Sequence, residues 1–231
     1  DPGTNVILFY LEDIHDGRAF MQVAQRVAAR KPIIVLRAGR SAAAAKAAQS
    51  HTGALAGSSA VTDAILRQAG CIVVNTMEEW FNLAAVCSSA PRPKGNRLAI
   101  LTNAGGPGIL ATDAIAGTSL QLAALSDATV EKLRRTLPPA AAINNPVDVI
   151  GDAPPERYAA ALRILAADPH TDILVLVLTE QLTTRSAAVA KAVIATARRV
   201  KKPILTSFIG GAGVAVALRE LQRAKIPIFQ F

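Results

Sequence analysis

The sequence is poor in aromatic and charged residues, and it has no long apolar run. Aromatic residues make up 4% and charged residues 18% of the 231 positions. The longest candidate run, Ile173 to Leu178, has the length of a strand, whereas a membrane-spanning helix needs roughly 18 apolar residues. We therefore expect no membrane association. The start at Asp1, without a charged and apolar leader, indicates a piece of a longer protein.

Cysteine is almost absent as well. The two cysteines, Cys71 and Cys87, lack the spacing of metal ligands and lie in apolar surroundings. We interpret them as reduced core thiols of a cytoplasmic protein, and no metal site is predicted.

Positive charge is abundant but not clustered. The net charge is +8 and the pI is about 10.0. The basic residues are nevertheless scattered singly over predicted helix faces, as at Arg26, Arg30 and Lys31. A nucleic-acid surface needs a basic patch or stripe, so no nucleic-acid partner is predicted.

Apolar runs of strand length alternate with longer stretches of helical period. This alternation is typical of βα units that build a mostly parallel sheet with helices on both faces, and it predicts an α/β fold. The predicted strands are Val6–Leu11, Ile33–Leu36, Ile72–Val74, Leu98–Thr102, Ile173–Leu178, Ile204–Phe208 and Ile228–Phe229. The predicted helices are Gly17–Ala29, Ser58–Gln68, Met77–Ser88, Gly108–Ala116, Asp127–Leu137, Pro155–Ala167, Ser186–Val200 and Gly213–Ala224.

A linker divides this pattern into two domains. The segment Pro91–Asn96 combines two prolines with glycine and charge, and it separates two blocks of strands and helices. We predict domains at 1–92 and 93–231.

A weak internal repeat supports two domains of the same fold. A strand that follows Lys31-Pro32 in the first half corresponds to one that follows Lys202-Pro203 in the second. The first copy carries an inserted loop from Arg37 to Gly57. The second copy opens with a strand and glycine turn, Leu98–Gly108, that the first copy lacks, so we expect the first domain to be truncated by one βα unit.

The inserted loop carries His51 among Ser50, Thr52 and Gly53. Loops in α/β units are commonly about 2 to 6 residues long, and longer ones are usually functional. Small residues allow close backbone approach, hydroxyls can bind an anion, and a neutral imidazole can accept a phosphoryl group. The residues alone leave open that His51 only caps or packs beside the next helix.

One block of the chain strongly resembles the phosphohistidine loop of ADP-forming acetyl-CoA synthetases. It reads Ser50-His51-Thr52-Gly53-Ala54-Leu55-Ala56-Gly57 and follows Gly39-Arg40-Ser41. Succinyl-CoA synthetases are more distant relatives. The resemblance implies two flavodoxin-like, three-layer domains of an acid–thiol ligase. It also implies that acyl-CoA and phosphate give acyl phosphate and CoA, and that His51 carries the phosphoryl group to ADP.

Glu12 ends the first predicted strand, where ligand-facing residues of parallel sheets lie. The segment Tyr10-Leu11-Glu12 is similar to the strand-end glutamate of this family, which implies a hydrogen bond to His51. A carboxylate on one ring nitrogen would fix the tautomer and leave the other nitrogen free to attack. A solvated strand-end acid is the alternative.

A glycine turn after a strand, Asn103–Gly108, is predicted to open a helix whose amides face an anion. Its pattern differs from the dinucleotide fingerprint, and no acid follows at the expected distance, so NAD is not predicted. The resemblance implies phosphate binding at this turn. The predicted phosphate-binding residues are Asn103, Ala104, Gly105, Gly106, Gly108 and, in the inserted loop, Gly53.

The segment Asn144-Asn145-Pro146-Val147-Asp148 resembles a further element of the family, an Asn-Pro-Xaa-Asp turn near the active site. The resemblance implies that Asn145 and Asp148 belong to an active-site turn. Ordinary turn chemistry accounts for the same residues, so a purely structural role stays open.

The resemblance covers nearly the whole chain but includes neither a CoA-binding domain nor an ATP-grasp domain. We expect the chain alone to hold no cofactor and to complete no turnover. CoA, ATP or ADP and Mg²⁺ are expected for the full-length enzyme, with acyl-CoA and phosphate as substrates. Surfaces that normally pack on the missing domains or subunit favour self-association into a homo-oligomer.

Two other functions stay open at this point. A protein lysine acetyltransferase can carry a similar part as a regulatory, acyl-CoA-sensing module, although such a module has no chemical need for His51 and Glu12. A plain interaction domain is the third class, because a fold alone does not determine function. Acetyl, other short acyl and aryl groups are all compatible with the sequence.

Overall fold

The computed structural model describes residues 1–41, 43, 44 and 59–229. The chain divides into two compact units, Asp1–Ser88 and Ser89–Phe231. Each unit is built on a parallel sheet with helices packed on both of its faces.

The first unit has a parallel sheet with a buried central strand. Its elements are β1 (Ile7–Leu11), α1 (Gly17–Ala28), β2 (Ile33–Arg37), α2 (Ser59–Gln68), β3 (Ile72–Val74) and α3 (Met77–Ser89). The strand order is β1-β2-β3, with Ile7 opposite Ile33 and Ile34 opposite Ile72. β2 is buried along its whole length, which explains its continuous apolar sequence up to Leu36.

The central strand β2 supplies two separate cores. Ile33 and Val35 pack with α1 and α2, whereas Ile34 and Leu36 pack with α3. Side chains of a strand alternate between its faces, so one apolar run can serve both layers. The indole N–H of Trp80 donates to the carbonyl oxygen of Ile34 at 3.3 Å and ties α3 to the sheet.

The second unit repeats this plan with more strands. Its elements are β4 (Arg97–Thr102), α4 (Gly105–Asp113), β5 (Gln121–Leu122), α5 (Asp127–Thr136), β6 (Val147–Asp148), α6 (Pro155–Ala167), β7 (Ile173–Thr179), α7 (Ser186–Ala197), β8 (Ile204–Ile209), a 3-10 helix (Ala212–Val214) and α8 (Ala215–Arg223). The parallel order is β5-β4-β7-β8, and β6 pairs with the end of β4. α4 covers one face, and α5 to α8 cover the other.

The position of α4 differs from the sequence-based expectation. The helix begins at Gly105 instead of Gly108 and ends at Asp113 instead of Ala116. Pro107 fits the first turn, where its missing N–H has no helical partner to lose. The glycines after β4 are therefore part of the helix start.

Three short pairings also differ from expectation. β5 and β6 were not predicted, because each has two residues and shows no alternation of its own. The expected last strand, Ile228–Phe229, is reduced to an isolated parallel bridge between Ile228 and Thr206.

The gap between β5 and β6 along β4 is filled by the side chain of Asn145. Its Oδ1 accepts a hydrogen bond from the Ile100 N–H at 2.9 Å, and its Nδ2 donates to the carbonyl oxygens of Leu98 and Ala123 at 2.7 and 3.1 Å. The amide thereby satisfies backbone groups that a strand would otherwise pair. Asn145 is part of the sheet edge.

A second polar anchor is Asp168, which is 1% exposed at the end of α6. Its carboxylate accepts hydrogen bonds from the N–H and hydroxyl of Ser126 at 3.0 and 2.8 Å and from the N–H of His170 at 2.7 Å. Burial raises the pKa of Asp168, but hydrogen bonds from Thr129, Ser126 and His170 outweigh that effect. The pKa therefore lies below its usual value.

Replacing Asn145 with alanine should destabilise the second unit. The change removes the hydrogen-bond partner of the buried Ile100 N–H and of the buried Ala123 carbonyl, at about 1–3 kcal/mol for each group. We expect the free energy of unfolding in urea to fall by about 2–4 kcal/mol. Asn144→Ala, at the exposed neighbour, should stay within about 0.5 kcal/mol of wild type. Equal stability of the two variants would contradict the edge role of Asn145.

Asp168→Asn should weaken the second unit in a pH-dependent way. Because the folded pKa of Asp168 is below the unfolded value of about 3.9, its contribution is complete above that pH and is lost as the pH falls through the folded pKa. At neutral pH we expect the variant to be about 1.5–3 kcal/mol less stable, as for hydrogen bonds to a charged group. Urea unfolding at decreasing pH should show a shrinking difference in unfolding free energy between wild type and variant. A constant difference would refute the role given to the Asp168 carboxylate.

Candidate functional site

Both sheets place polar residues just beyond the carboxyl ends of their strands, where α/β folds bind ligands. In the first unit, Glu12 follows β1, Arg37 ends β2 and Asn75 follows β3. In the second unit, Asn103 follows β4 and Asp148 ends β6. Three of these residues were predicted from the sequence, and two were not.

Glu12 is exposed and directly follows β1. The N–H of Ala38 donates to the carbonyl oxygen of Leu11 at 2.9 Å, so the end of β1 stays paired with the chain that leaves β2. Glu12 therefore lies beside the beginning of the connection that carries His51. His51 itself and Gly53 lie outside the described residues.

An ion-paired cluster lies at the carboxyl end of β2. It consists of Arg37, Arg40 and Asp63 and is named here the arginine clasp. Different oxygens of Asp63 accept hydrogen bonds from Arg37 Nη1 at 2.8 Å and from Arg40 Nη2 at 2.9 Å. Burial raises the pKa of Asp63, but the hydrogen bond from Arg37 and the charges of Arg40 and Arg37 outweigh it. The pKa is therefore lowered, and the carboxylate is charged at neutral pH.

Arg40 links the arginine clasp to the residues just before α3. Arg40 also donates a hydrogen bond to Oδ1 of Asn75. The N–H of Asn75 donates to the Glu79 carboxylate at 2.8 Å, and the N–H of Glu79 donates to the Thr76 hydroxyl at 3.1 Å. This exchange is similar to a capping box and leaves the Asn75 side chain available to Arg40.

In the second unit, α4 begins without a side-chain cap. Its N-cap residue, Ala104, uses its own N–H and carbonyl oxygen to bond the Thr102 hydroxyl at 3.1 and 3.0 Å. Pro107 has no N–H, so the first-turn amides without an acceptor inside the helix are those of Gly105 and Gly106. These two N–H groups stand at the positive end of the helix dipole and can bind an anion.

The glycines of this turn differ in their surroundings. A Cβ at Gly106 would meet nothing within 4 Å, so the space beside its Cα is open. A Cβ at Gly108 would lie 3.1 Å from Thr102 Cγ2, so glycine there allows α4 to pack closely on the sheet. A Cβ at Gly105 would be 3.8 Å from Oδ2 of Asp148. The start of α4 therefore has open space beside Gly106 and a carboxylate near Gly105.

The predicted asparagines use their side chains inside the fold. Asn103 is 2% exposed, and its amide bonds both backbone groups of Thr179, donating to the carbonyl oxygen and accepting from the N–H, each at 2.8 Å. This pair joins the ends of β4 and β7, as Asn145 completes the opposite edge of β4. Both asparagine side chains are therefore already hydrogen-bonded to backbone groups of the sheet.

Asp148 connects the turn after β6 with the start of α4. Its Oδ1 accepts a hydrogen bond from the N–H of Ile150 at 2.8 Å, where the backbone has a φ of 61°. Its Oδ2 faces Gly105. A carboxylate beside a helix N-terminus is favoured by the helix dipole, so Asp148 stabilises this turn next to the start of α4.

Other kinds of site are not formed by the part of the chain that the structure describes. Within residues 1–41, 43, 44 and 59–229, no group of three metal-ligating side chains comes together. In the same ranges no helix has the length and apolar character needed to cross a bilayer. Cys71 and Cys87, both among the described residues, are not in a disulfide, and burial raises the pKa of Cys71, as in an unreactive core thiol.

Comparison with protein families matches both units. Residues 1–87 match the succinyl-CoA ligase like flavodoxin domain, and residues 98–231 match the Ligase-CoA domain. The second match alone spans more than half of the chain.

Two curated relatives align with nearly the entire chain. The chain is 41% identical over 228 residues to the alpha subunit of acetate–CoA ligase (ADP-forming) II of Pyrococcus furiosus, covering 97% of this chain and 50% of that one. It is 42% identical over 229 residues to acetate–CoA ligase (ADP-forming) I of Archaeoglobus fulgidus, covering 99% and 32%. The chain thus spans half or less of the length of these relatives.

A solved structure has the same fold. It is dinucleotide-forming acetyl-coenzyme A synthetase 1 of Candidatus Korarchaeum cryptofilum in complex with phosphate and ADP, with a TM-score of 0.93 and 35% identity over 99% of this chain and 50% of that chain. The domain match over residues 98–231 shows that the chain belongs to the Ligase-CoA domain family, and over nearly its whole length the chain is similar to ADP-forming acetate–CoA ligases.

Proposed function

We propose that the chain is the central part of an ADP-forming acyl-CoA synthetase, which interconverts an acid, CoA and ATP with acyl-CoA, ADP and phosphate. The observation that carries the proposal is the 41% identity of nearly the whole chain to the alpha subunit of an acetate–CoA ligase (ADP-forming). The chain spans half of that subunit. The parts beyond it, on the same chain or on a partner subunit, would supply the CoA and nucleotide sites, with Mg²⁺ accompanying the nucleotide.

Phosphate is proposed to react at the start of α4. The amides of Gly105 and Gly106 offer donors to a phosphate anion, and the space beside Gly106 is open. An oxygen of the bound phosphate attacks the thioester carbonyl of acyl-CoA, the C–S bond breaks, and acyl phosphate and CoA result. The remaining predicted residues shape this site through their backbone contacts: Asn103, Ala104, Gly108, Asn145 and Asp148.

His51 is the proposed phosphoryl carrier. A neutral ring nitrogen attacks the phosphorus of acyl phosphate, an N–P bond forms, and the bond between phosphorus and the acyl oxygen breaks as the acid leaves. A terminal phosphate oxygen of ADP then attacks the same phosphorus, the N–P bond breaks, and ATP is formed. A carrier has to serve two partners, which suits a residue in a long βα connection.

Glu12 is proposed to orient this histidine. A hydrogen bond from one ring nitrogen of His51 to the Glu12 carboxylate fixes the tautomer and leaves the other nitrogen unprotonated for attack. The exposed place of Glu12, beside the beginning of the His51 connection, supports this role. Gly53 would let the backbone next to His51 approach the phosphoryl group closely.

In the full-length enzyme, His51→Ala should abolish phosphoryl transfer, because the only proposed acceptor nitrogen is removed. Incubation with labelled ATP and magnesium should give acid-labile, base-stable label in the wild type and none in the variant. The chain has three histidines, so His15→Gln and His170→Gln are matched controls that should keep wild-type labelling.

Label that persists in His51→Ala would place the carrier at another residue. A wild type that takes up no label, from ATP or from acyl phosphate, would contradict the synthetase function. That result would favour the acyl-CoA-sensing module of a lysine acetyltransferase, which binds acyl-CoA without a phosphorylated histidine.

Gly106→Asp should weaken phosphate use while the fold is kept. The space at Gly106 accepts a side chain, and a carboxylate in the first turn of a helix is favoured by the dipole. We expect the KM for phosphate to rise by about tenfold or more, because like charges in contact cost several kcal/mol. Gly106→Asn has the same size without the charge and should change this KM much less. Equal effects of the two variants, at unchanged melting temperature, would argue against anion binding by α4.

A further inference from the structure

The two ends of the connection that carries His51 are tied together by the arginine clasp. Arg37 and Arg40 lie where β2 ends, and Asp63 lies in the second turn of α2. Residues 41–58 join these two places in the chain. The hydrogen bonds of the clasp therefore join the two ends of this connection.

The buried half of the clasp is formed by Arg37. Its side chain is 4% exposed, and its Nη1 donates to the carbonyl oxygen of Ser59 at 2.9 Å, to the Ser59 hydroxyl at 3.2 Å and to Asp63 at 2.8 Å. Ser59 is the first residue of α2. One guanidinium on β2 thus holds both the first residue of α2 and an acid one turn further along.

The outer half of the clasp is formed by Arg40. Its side chain is 36% exposed, and its two terminal nitrogens reach Asp63 and Asn75. A planar guanidinium can hold two acceptors in a defined direction, which a lysine ammonium cannot do in the same way. Arg40 therefore orients the chain at the beginning of the connection against both α2 and the start of α3.

We propose that Asp63, through Arg37 and Arg40, is a positioning residue for the phosphoryl transfer at His51, because it fixes both ends of the connection that carries the histidine. This inference rests on the proposed function. A loop with fixed ends samples fewer arrangements than one with loose ends. A displacement of about 1 Å of a reacting group can cost about 10²-fold in rate, so loosened ends should slow the transfer.

The test uses the full-length enzyme with Asp63→Asn. Rapid-quench measurement with labelled ATP should show phosphorylation of His51 slowed by about tenfold to a hundredfold. The KM values for CoA and for nucleotide should be unchanged, because no residue of the clasp is a proposed ligand of CoA or of the nucleotide. A role in stability alone would lower the melting temperature without this selective loss.

Asp172→Asn is the matched control for a lost ion pair. Asp172 is 8% exposed and holds Arg97 at 2.7 and 3.0 Å in the second unit, away from the His51 connection in the chain. We expect this variant to lose stability but to phosphorylate His51 at the wild-type rate. An equal slowing in Asp172→Asn would overturn the positioning role of the clasp.

Arg40→Met keeps the inference testable if Asp63→Asn does not fold. It removes the partly exposed arm of the clasp and leaves the buried pair of Arg37 and Asp63 in place. We expect slower phosphorylation, with partial recovery in Arg40→Lys. Folded variants that phosphorylate at the wild-type rate would overturn the role of the clasp while the proposed function stands. A wild type without label would overturn the proposed function and the inference that rests on it.

Discussion

Parallel strand pairing is the constraint on which both units depend. Because β1, β2 and β3 run in one direction, their carboxyl ends meet at one edge, and the same holds for the strands of the second unit. A reversed strand would carry Glu12 or Asp148 to the opposite edge. The central strands β2 and β7 are largely buried, so apolar packing on both faces sets their register.

Side chains complete the structure where these backbone ladders end. In the second unit neutral amides do so, since Asn103 joins the ends of β4 and β7 and Asn145 continues the edge of β4. In the first unit an ion pair has this role, because the positive charge of the buried Arg37 guanidinium is balanced by the Asp63 carboxylate. Removing one partner of such a pair leaves an uncompensated charge, which is far more costly than losing an exposed ion pair. The strand ends are therefore joined to their neighbours by hydrogen bonds and an ion pair.

Patterns that repeat within one element were readable from the sequence. The run Ile173–Leu178 has the length and composition of a buried strand, and the structure confirms a strand there. The start of α4 at Gly105 was not readable, because Gly-Gly-Pro usually indicates a turn. The arginine clasp was missed because Arg37 and Asp63 are 26 positions apart and resemble ordinary strand-end and helix charges. The structural use of Asn145 appears only in its three hydrogen bonds across β4.

A phosphoryl relay makes two opposite demands, and the same fold can meet both. An anion site needs donors that stay in place, which backbone amides at the start of a packed helix provide. A carrier needs a long connection, and doubling the length of a loop costs only about 0.6 kcal/mol in closure entropy. In the first unit residues 38–58 separate β2 from α2 in the sequence, whereas the 3-10 helix of the second unit begins at Ala212, directly after β8 and two glycines. In this chain one carboxylate shared between two arginines joins the end of β2 and the start of this segment to the helix that follows it.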